Sequence, residues 1–191
     1  MSKHLQTLLQ QVRSCTLCKD KLEPRPVVQV SSASKIVLIG QAPGRKVHQT
    51  GIAWNDASGK RLRDWLGVDK KTFYNPDVFA FLPLAFCYPG KGKSGDKPPP
   101  KICAKTWHQA LLSQIKAEPL MILIGAHSQS YYLNDKLSLT HRVSRASWYL
   151  PKCFPLPHPS PRNTNWLKQN PQFERETIPE LKKCIQQILS R

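Results

Sequence analysis

Apolar residues recur along this chain in two rhythms, one of helices and one of buried strands. Leu5, Leu8, Leu9 and Val12 fall on one helical stripe, which predicts a helix over residues 3–14. The run Lys35-Ile-Val-Leu-Ile39 predicts a buried strand that feeds the turn GQAPGR at residues 40–45. Ser58 offers a cap for a helix through Leu66, with Gly67 as its stop. Residues 78–86 read as a second strand, in which Pro83 marks an edge or a kink. A loop rich in Lys, Gly and Pro covers residues 88–100, and a helix follows over 104–116. Leu120-Met-Ile-Leu-Ile124 is another buried strand, with Gly125 at its end and a short helix beyond. Residues 152–156 form a short strand. From residue 172 the tail places Ile178, Leu181, Ile185 and Leu189 at helical spacing.

Strands alternating with helices predict an α/β fold with a parallel sheet covered on both faces, as one domain over residues 1–191. In such folds the site lies where strands run out into loops. The loops at Gly40, Cys87, Gly125 and His158 are therefore expected to converge on one cleft.

Composition adds a partner to this picture. The chain has 191 residues, enough for a substantial core, and 29 Lys and Arg against 12 Asp and Glu give a net charge of +17. Such an excess favours a polyanion, because each neutralised phosphate releases a condensed counterion. No apolar run is long enough to span a bilayer, and the first residues lack the apolar stretch of a secretion signal. A cytoplasmic, monomeric protein is expected.

Six cysteines without an export signal point away from structural disulfides. Cys15 and Cys18 form a C-x2-C pair, a spacing that lets two thiolates share a metal. Cys87 and Cys103 are scattered, which suits an iron–sulfur cluster better than a zinc ribbon. The alternative is that these are small buried hydrophobes. Cys153 and Cys184 sit in apolar-patterned segments and read as core. The segment PLPHPSPRN at residues 155–163 holds four prolines, so it is a stiff loop presenting His158.

GQAPGR after the first strand, HPSPRN late in the chain and this cysteine set together resemble the uracil-DNA glycosylase superfamily, above all its iron–sulfur branches, families 4 and 5. The resemblance spans residues 15–163. It implies a three-layer α/β/α sandwich with a central, mainly parallel sheet. It also implies a four-iron, four-sulfur (4Fe–4S) cluster on Cys15, Cys18, Cys87 and Cys103, with zinc as the alternative metal. The implied activity is hydrolysis of the bond between deoxyribose and a uracil, or another deaminated base, flipped out of DNA. His158 is similar to the family histidine that donates a hydrogen bond to the departing base. Trp54 lies where the family has a stacking Phe, although a core tryptophan fits the pattern as well. Gln41 and Ala42 would offer backbone N–H groups to the site. Arg162 stands where related loops place a wedge, with Ser160 and Asn163 toward the DNA backbone. Lys91 and Lys93, with Lys97 and Lys101, would meet phosphates unless the loop is simply solvated.

The chain departs from the family at its acids. Family 4 carries Glu after the first glycine of the turn and further acids beyond it, whereas Gln41, Lys46 and Val47 stand here. The branch with Asp directly after GQ has Ala42 here. Asp56, in N-D-A-S-G, resembles the acid that family 5 carries before its Ser-Gly and would hold the attacking water. The same residue also suits a helix start. His48 and Asn55 are further candidates from that loop. FAFLPLAFC offers no counterpart of the family's pocket Asn, which leaves the base open. The alternative function is a non-catalytic iron–sulfur protein that binds damaged or single-stranded DNA.

Overall fold

In the computed structural model, residues 2–190 are described, and four parallel strands form the centre. Helix α1 (Lys3–Arg13) opens the chain, with the Ser2 hydroxyl accepting from the Leu5 N–H at 3.2 Å as its cap. Strand β1 (Ile36–Ile39) is wholly buried and runs into the Gly40 turn, followed by the short α2 (Arg45–Thr50). Helix α3 (Ala57–Leu66) and the single turn α4 (Lys70–Phe73) lead to β2 (Phe79–Phe81). A two-stranded hairpin, β3 (Lys91–Gly92) and β4 (Gly95–Asp96), precedes α5 (Lys101–Leu112). Then come β5 (Leu120–Ile124), α6 (Ala126–Tyr132), α7 (Leu139–Ser144), β6 (Cys153–Leu156), α8 (Thr164–Gln169) and α9 (Ile178–Leu189).

The strand order is β2-β1-β5-β6, with every neighbouring pair parallel. Side chains alternate between the two sheet faces, so each strand feeds two cores. Ile36, Leu38, Phe79, Phe81, Ile122 and Phe154 pack against α3 and α9 through Leu62, Leu66, Leu181 and Ile185. Val37, Ile39, Ala80 and Leu123 pack against α1 and α5 through Leu5, Leu9, Val12 and Leu111. Helices therefore cover both faces, and the architecture is the expected α/β/α sandwich. Cys153 is buried, and Cys184 packs at the edge of the first core.

Two elements differ from the sequence expectation for identifiable reasons. The strand expected over 78–86 is cut to three residues, because Pro83 has no N–H for the ladder. Beyond it the chain keeps to the β1 side, with Leu84 N–H bonded to Gly40 O and Ala85 N–H to Gln41 O. Helix α5 starts three residues earlier than expected, with Pro100 as its cap residue, and ends at Leu112. A proline suits that position because the first helical N–H groups lack intrahelical partners anyway.

The chain leaves β1 toward β2 on one side and later returns to β5 on the other. That reversal opens a crevice beyond the strand ends.

Candidate active site

A cleft of about 530 Å³ fills this crevice. Its walls come from the turn after β1 (Gly40, Gln41, Ala42), the loop before α3 (Trp54, Asp56), the hairpin (Ser94, Gly95, Asp96) and the loop after β6. The last supplies His158, Ser160, Arg162 and Asn163.

His158 is fixed from three directions. The Ser160 N–H donates to its Nδ1 at 3.2 Å, the Asn163 amide donates to its carbonyl at 2.7 Å, and Gly125 lies against its ring. Arg61 on α3 donates to the Ser160 carbonyl at 3.1 Å and ties the loop to the helix layer. Gly125 has φ +85°, a backbone conformation that suits glycine, whereas a β-carbon there would make only ordinary contact, 3.7 Å from the His158 Cβ. An occupied Nδ1 acceptor leaves the ring proton on Nε2. Among the described residues no group bonds Nε2, and the ring lines the cleft. Burial holds the His158 pKa below the ordinary imidazole value, while the charges of Asp56 and Asp96 pull the other way. The result is a neutral imidazole with a free N–H donor.

Trp54 forms the aromatic side of the cleft, its ring centroid 6.2 Å from that of His158. Its backbone has φ 55°, an unfavourable region for a bulky residue. Neighbours hold it there: Tyr74 Oη donates to Ala53 O at 2.9 Å, and Arg63 donates to Trp54 O at 3.5 Å. Gly40 lets the indole lie close, since a β-carbon there would stand 3.2 Å from the ring.

Asp56 is the N-cap of α3, its Oδ1 accepting from the Gly59 N–H at 2.8 Å. Ser58, expected as that cap, is instead the second residue of the helix, and it lines the cleft. Gln41 donates from its side chain to the Lys97 carbonyl at 3.2 Å and so fastens the hairpin to the first turn. His48 lies outside the lining, with Nε2 3.1 Å from a Glu23 carboxylate oxygen and its ring against Tyr88. Asn55 also lies outside the lining, and Lys91 and Lys93 are exposed on the hairpin.

Of the four loops expected to converge, those at Gly40 and His158 form walls, and Gly125 backs His158. Cys87 faces elsewhere. It lines a second, apolar pocket with Cys15, Cys18 and Cys103, beside Leu17, Phe86, Pro100 and Trp107. Burial pushes the Cys103 thiol up to about 12 and raises Cys18 and Cys87 as well. The Phe86 N–H donates to Cys103 Sγ at 3.4 Å. The indole N–H of Trp107 is buried without a partner among the described residues. No group of three or more His, Cys, Asp or Glu among those residues is arranged to hold a metal ion.

Sequence reasoning missed Asp96 as a wall of the cleft. Its signal was a single acid in a loop of lysines, GKGKSGDK.

A parallel α/β sheet whose strand ends hold a half-buried, neutral histidine beside a tryptophan defines a protein with a ligand cleft at its switch point. Residues 28–182 match the uracil DNA glycosylase superfamily, and the chain belongs to that superfamily, whose members are DNA glycosylases. Cys87 and Cys103 lie within the matched residues, whereas Cys15 and Cys18 precede them. Among the described residues no helix is long and apolar enough to cross a membrane.

Proposed function

We propose that this protein is an iron–sulfur DNA glycosylase that hydrolyses the N-glycosidic bond of uracil, or another deaminated base, flipped out of DNA. The observation that carries the reading is the His158 Nε2–H, on a neutral ring and without a partner among the described residues, at the wall of the cleft. Breaking the bond leaves the base with the electron pair and the sugar with positive charge. An N–H donor on a preorganised loop stabilises the departing anion without moving. Trp54 offers a face on which the extruded base stacks. Asp56 has one carboxylate oxygen left after capping α3, and that oxygen would order water and favour the cationic sugar. Arg162 and the exposed hairpin lysines would meet the phosphates, in keeping with the +17 charge.

The four-cysteine pocket supports a cluster by the kind of donors it gathers, not by an arrangement already closed around a metal. Four thiols share one apolar pocket, and the buried Trp107 N–H lacks an acceptor that a cluster sulfide would supply. Cys15, Cys18, Cys87 and Cys103 would hold a 4Fe–4S cluster whose contribution is structural, cross-linking the segment after α1 to the start of α5.

The test is excision on single- and double-stranded oligonucleotides carrying uracil, hypoxanthine or xanthine. Abasic product with the wild type, lost in His158→Ala, supports the reading. A second reading is favoured by the commitment of Asp56 to the α3 cap: a protein that binds damaged DNA without turnover. Tight binding with no base released on any substrate establishes that reading instead.

A further inference from the structure

The chain lacks the family's usual acids, and Asp56 gives one oxygen to a helix cap. The cleft nevertheless holds a second carboxylate. Asp96 lies at the end of β4, paired in register with Lys91, and lines the same cleft as His158. Resting on the glycosylase reading, we infer that Asp96 is a further catalytic residue, the carboxylate that takes the proton of the attacking water, with Asp56 helping to order that water and favouring the cationic sugar.

The hairpin that carries it is fastened at three points. Tyr88 Oη donates to Asp96 Oδ1 at 3.1 Å, Gln41 donates to Lys97 O, and the Arg162 guanidinium lies against Gly95. Gly95 has φ +132°, a conformation that side chains rarely adopt, and a β-carbon there would stand 3.1 Å from Arg162. The hairpin is thus shaped to close on the His158 loop. One carboxylate oxygen is held by Tyr88, while the other has no protein partner among the described residues. The charged and titratable neighbours of Asp96 are Lys91 on β3, Lys97 after β4, Tyr88, Arg162, and His158 and Asp56 across the cleft. Its charge reaches His158, where it acts together with that of Asp56 against the effect of burial.

In the step, water oxygen bonds to C1′ as the C1′–N bond breaks, the electron pair leaves with the base, and the water proton passes to the Asp96 carboxylate. His158 stabilises the leaving base from the opposite loop.

Single-turnover excision by wild type, Asp96→Asn and Asp96→Ala is measured beside their binding to an oligonucleotide with a tetrahydrofuran abasic analogue. Asp96→Asn keeps an oxygen to accept from Tyr88 and so preserves the hairpin. Its excision rate is expected to fall roughly 100- to 10,000-fold, with binding within about threefold of wild type or tighter. Added formate is expected to restore part of the rate to Asp96→Ala, a response that a purely structural role would not give. Excision by Asp96→Asn within about threefold of wild type overturns the assignment. So does a slow Asp96→Ala variant that has lost binding and gains nothing from formate. A wild-type protein that releases no base sinks the glycosylase reading itself, and this assignment with it, and is told apart because the wild type is then inert.

Discussion

The carbonyl oxygen of Trp54 occupies the space that a β-carbon on Gly59 would need. The first turn of α3 and the strained tryptophan are therefore one unit, fitted together by the absence of a side chain. The same helix carries Asp56 at its start and sends Arg61 to the His158 loop.

Gly59→Ala tests that fit. An alanine would ordinarily favour a helix interior, yet here it forces the Trp54 loop to move. Stability is expected to fall by roughly 1–3 kcal/mol, with excision reduced alongside it. Gly44→Ala is the control, because φ there is −80° and nothing lies within 4 Å of the added carbon. Its thermal and denaturant midpoints should stay near those of wild type, a change of about 0.5 kcal/mol at most.

Replacing His158 removes the donor to the leaving base. His158→Ala is expected to lower the excision rate roughly 100- to 1,000-fold while binding of an abasic oligonucleotide persists. The pH–rate profile should hold its plateau to lower pH than an ordinary histidine would allow, because burial lowers the His158 pKa. Below that, protonation of Nδ1 displaces the Ser160 N–H and disorganises the loop. A fall already beginning at the ordinary imidazole value would contradict the environment described.

Trp54→Ala should weaken binding to single-stranded substrate by about 1–3 kcal/mol, the contribution of one base stacked on an aromatic face. Fluorescence anisotropy measures this directly. Trp54→Phe should recover most of the loss, since a smaller ring still offers a face.

Anaerobically purified protein is expected to be brown, and Cys103→Ser should lose the broad visible absorbance and lower the thermal midpoint. Trp107→Phe keeps the ring but not the N–H. It should leave the colour and shift the reduction potential of the cluster, which voltammetry reads.

His108 makes the fold sensitive to acid. It is buried among Phe86 and Tyr132, with Nε2 3.0 Å from the Pro83 carbonyl, and burial lowers its pKa from 6.5 to about 4. Below 6.5 the unfolded chain takes up a proton that the folded chain refuses. Stability present at neutral pH therefore declines as pH falls through this window, by about 3 kcal/mol in all. Urea melts at pH 7 and pH 4.5 should show it, and His108→Gln should flatten the difference.

Much of this was legible in the residues. The apolar runs of β1 and β5 could be little else than buried strands, and the four-residue stripe of α1 emerged as written. The hairpin was illegible because its strands are two residues long and its Lys-Gly-Lys-Ser-Gly-Asp carries no apolar alternation. Asp96 was hidden with it, since its place at the cleft depends on Gln41 holding the Lys97 carbonyl from a distant turn and on the Tyr88 bond, not on a local pattern. His158, Trp54 and Asp56 were all visible as candidates. Asp56 as the cap of α3 was one of the two roles its position offered, beside Ser58. What the sequence could not express was that Trp54 sits at positive φ, which is decided by packing around Gly59 and not by local preference.

The proline-bound segment around His158 has a consequence for how substrates would be chosen. A site held this stiffly does not bend to meet its ligand, so the nucleic acid must do the bending. On the glycosylase reading, the contest between a damaged base and a normal one is then decided before either reaches the cleft. It turns on how readily each nucleotide parts from its stack and its pairing partner. Preference should follow the softness of the lesion's surroundings, so that a loose mismatch or a bare strand outranks the same base in a firm duplex.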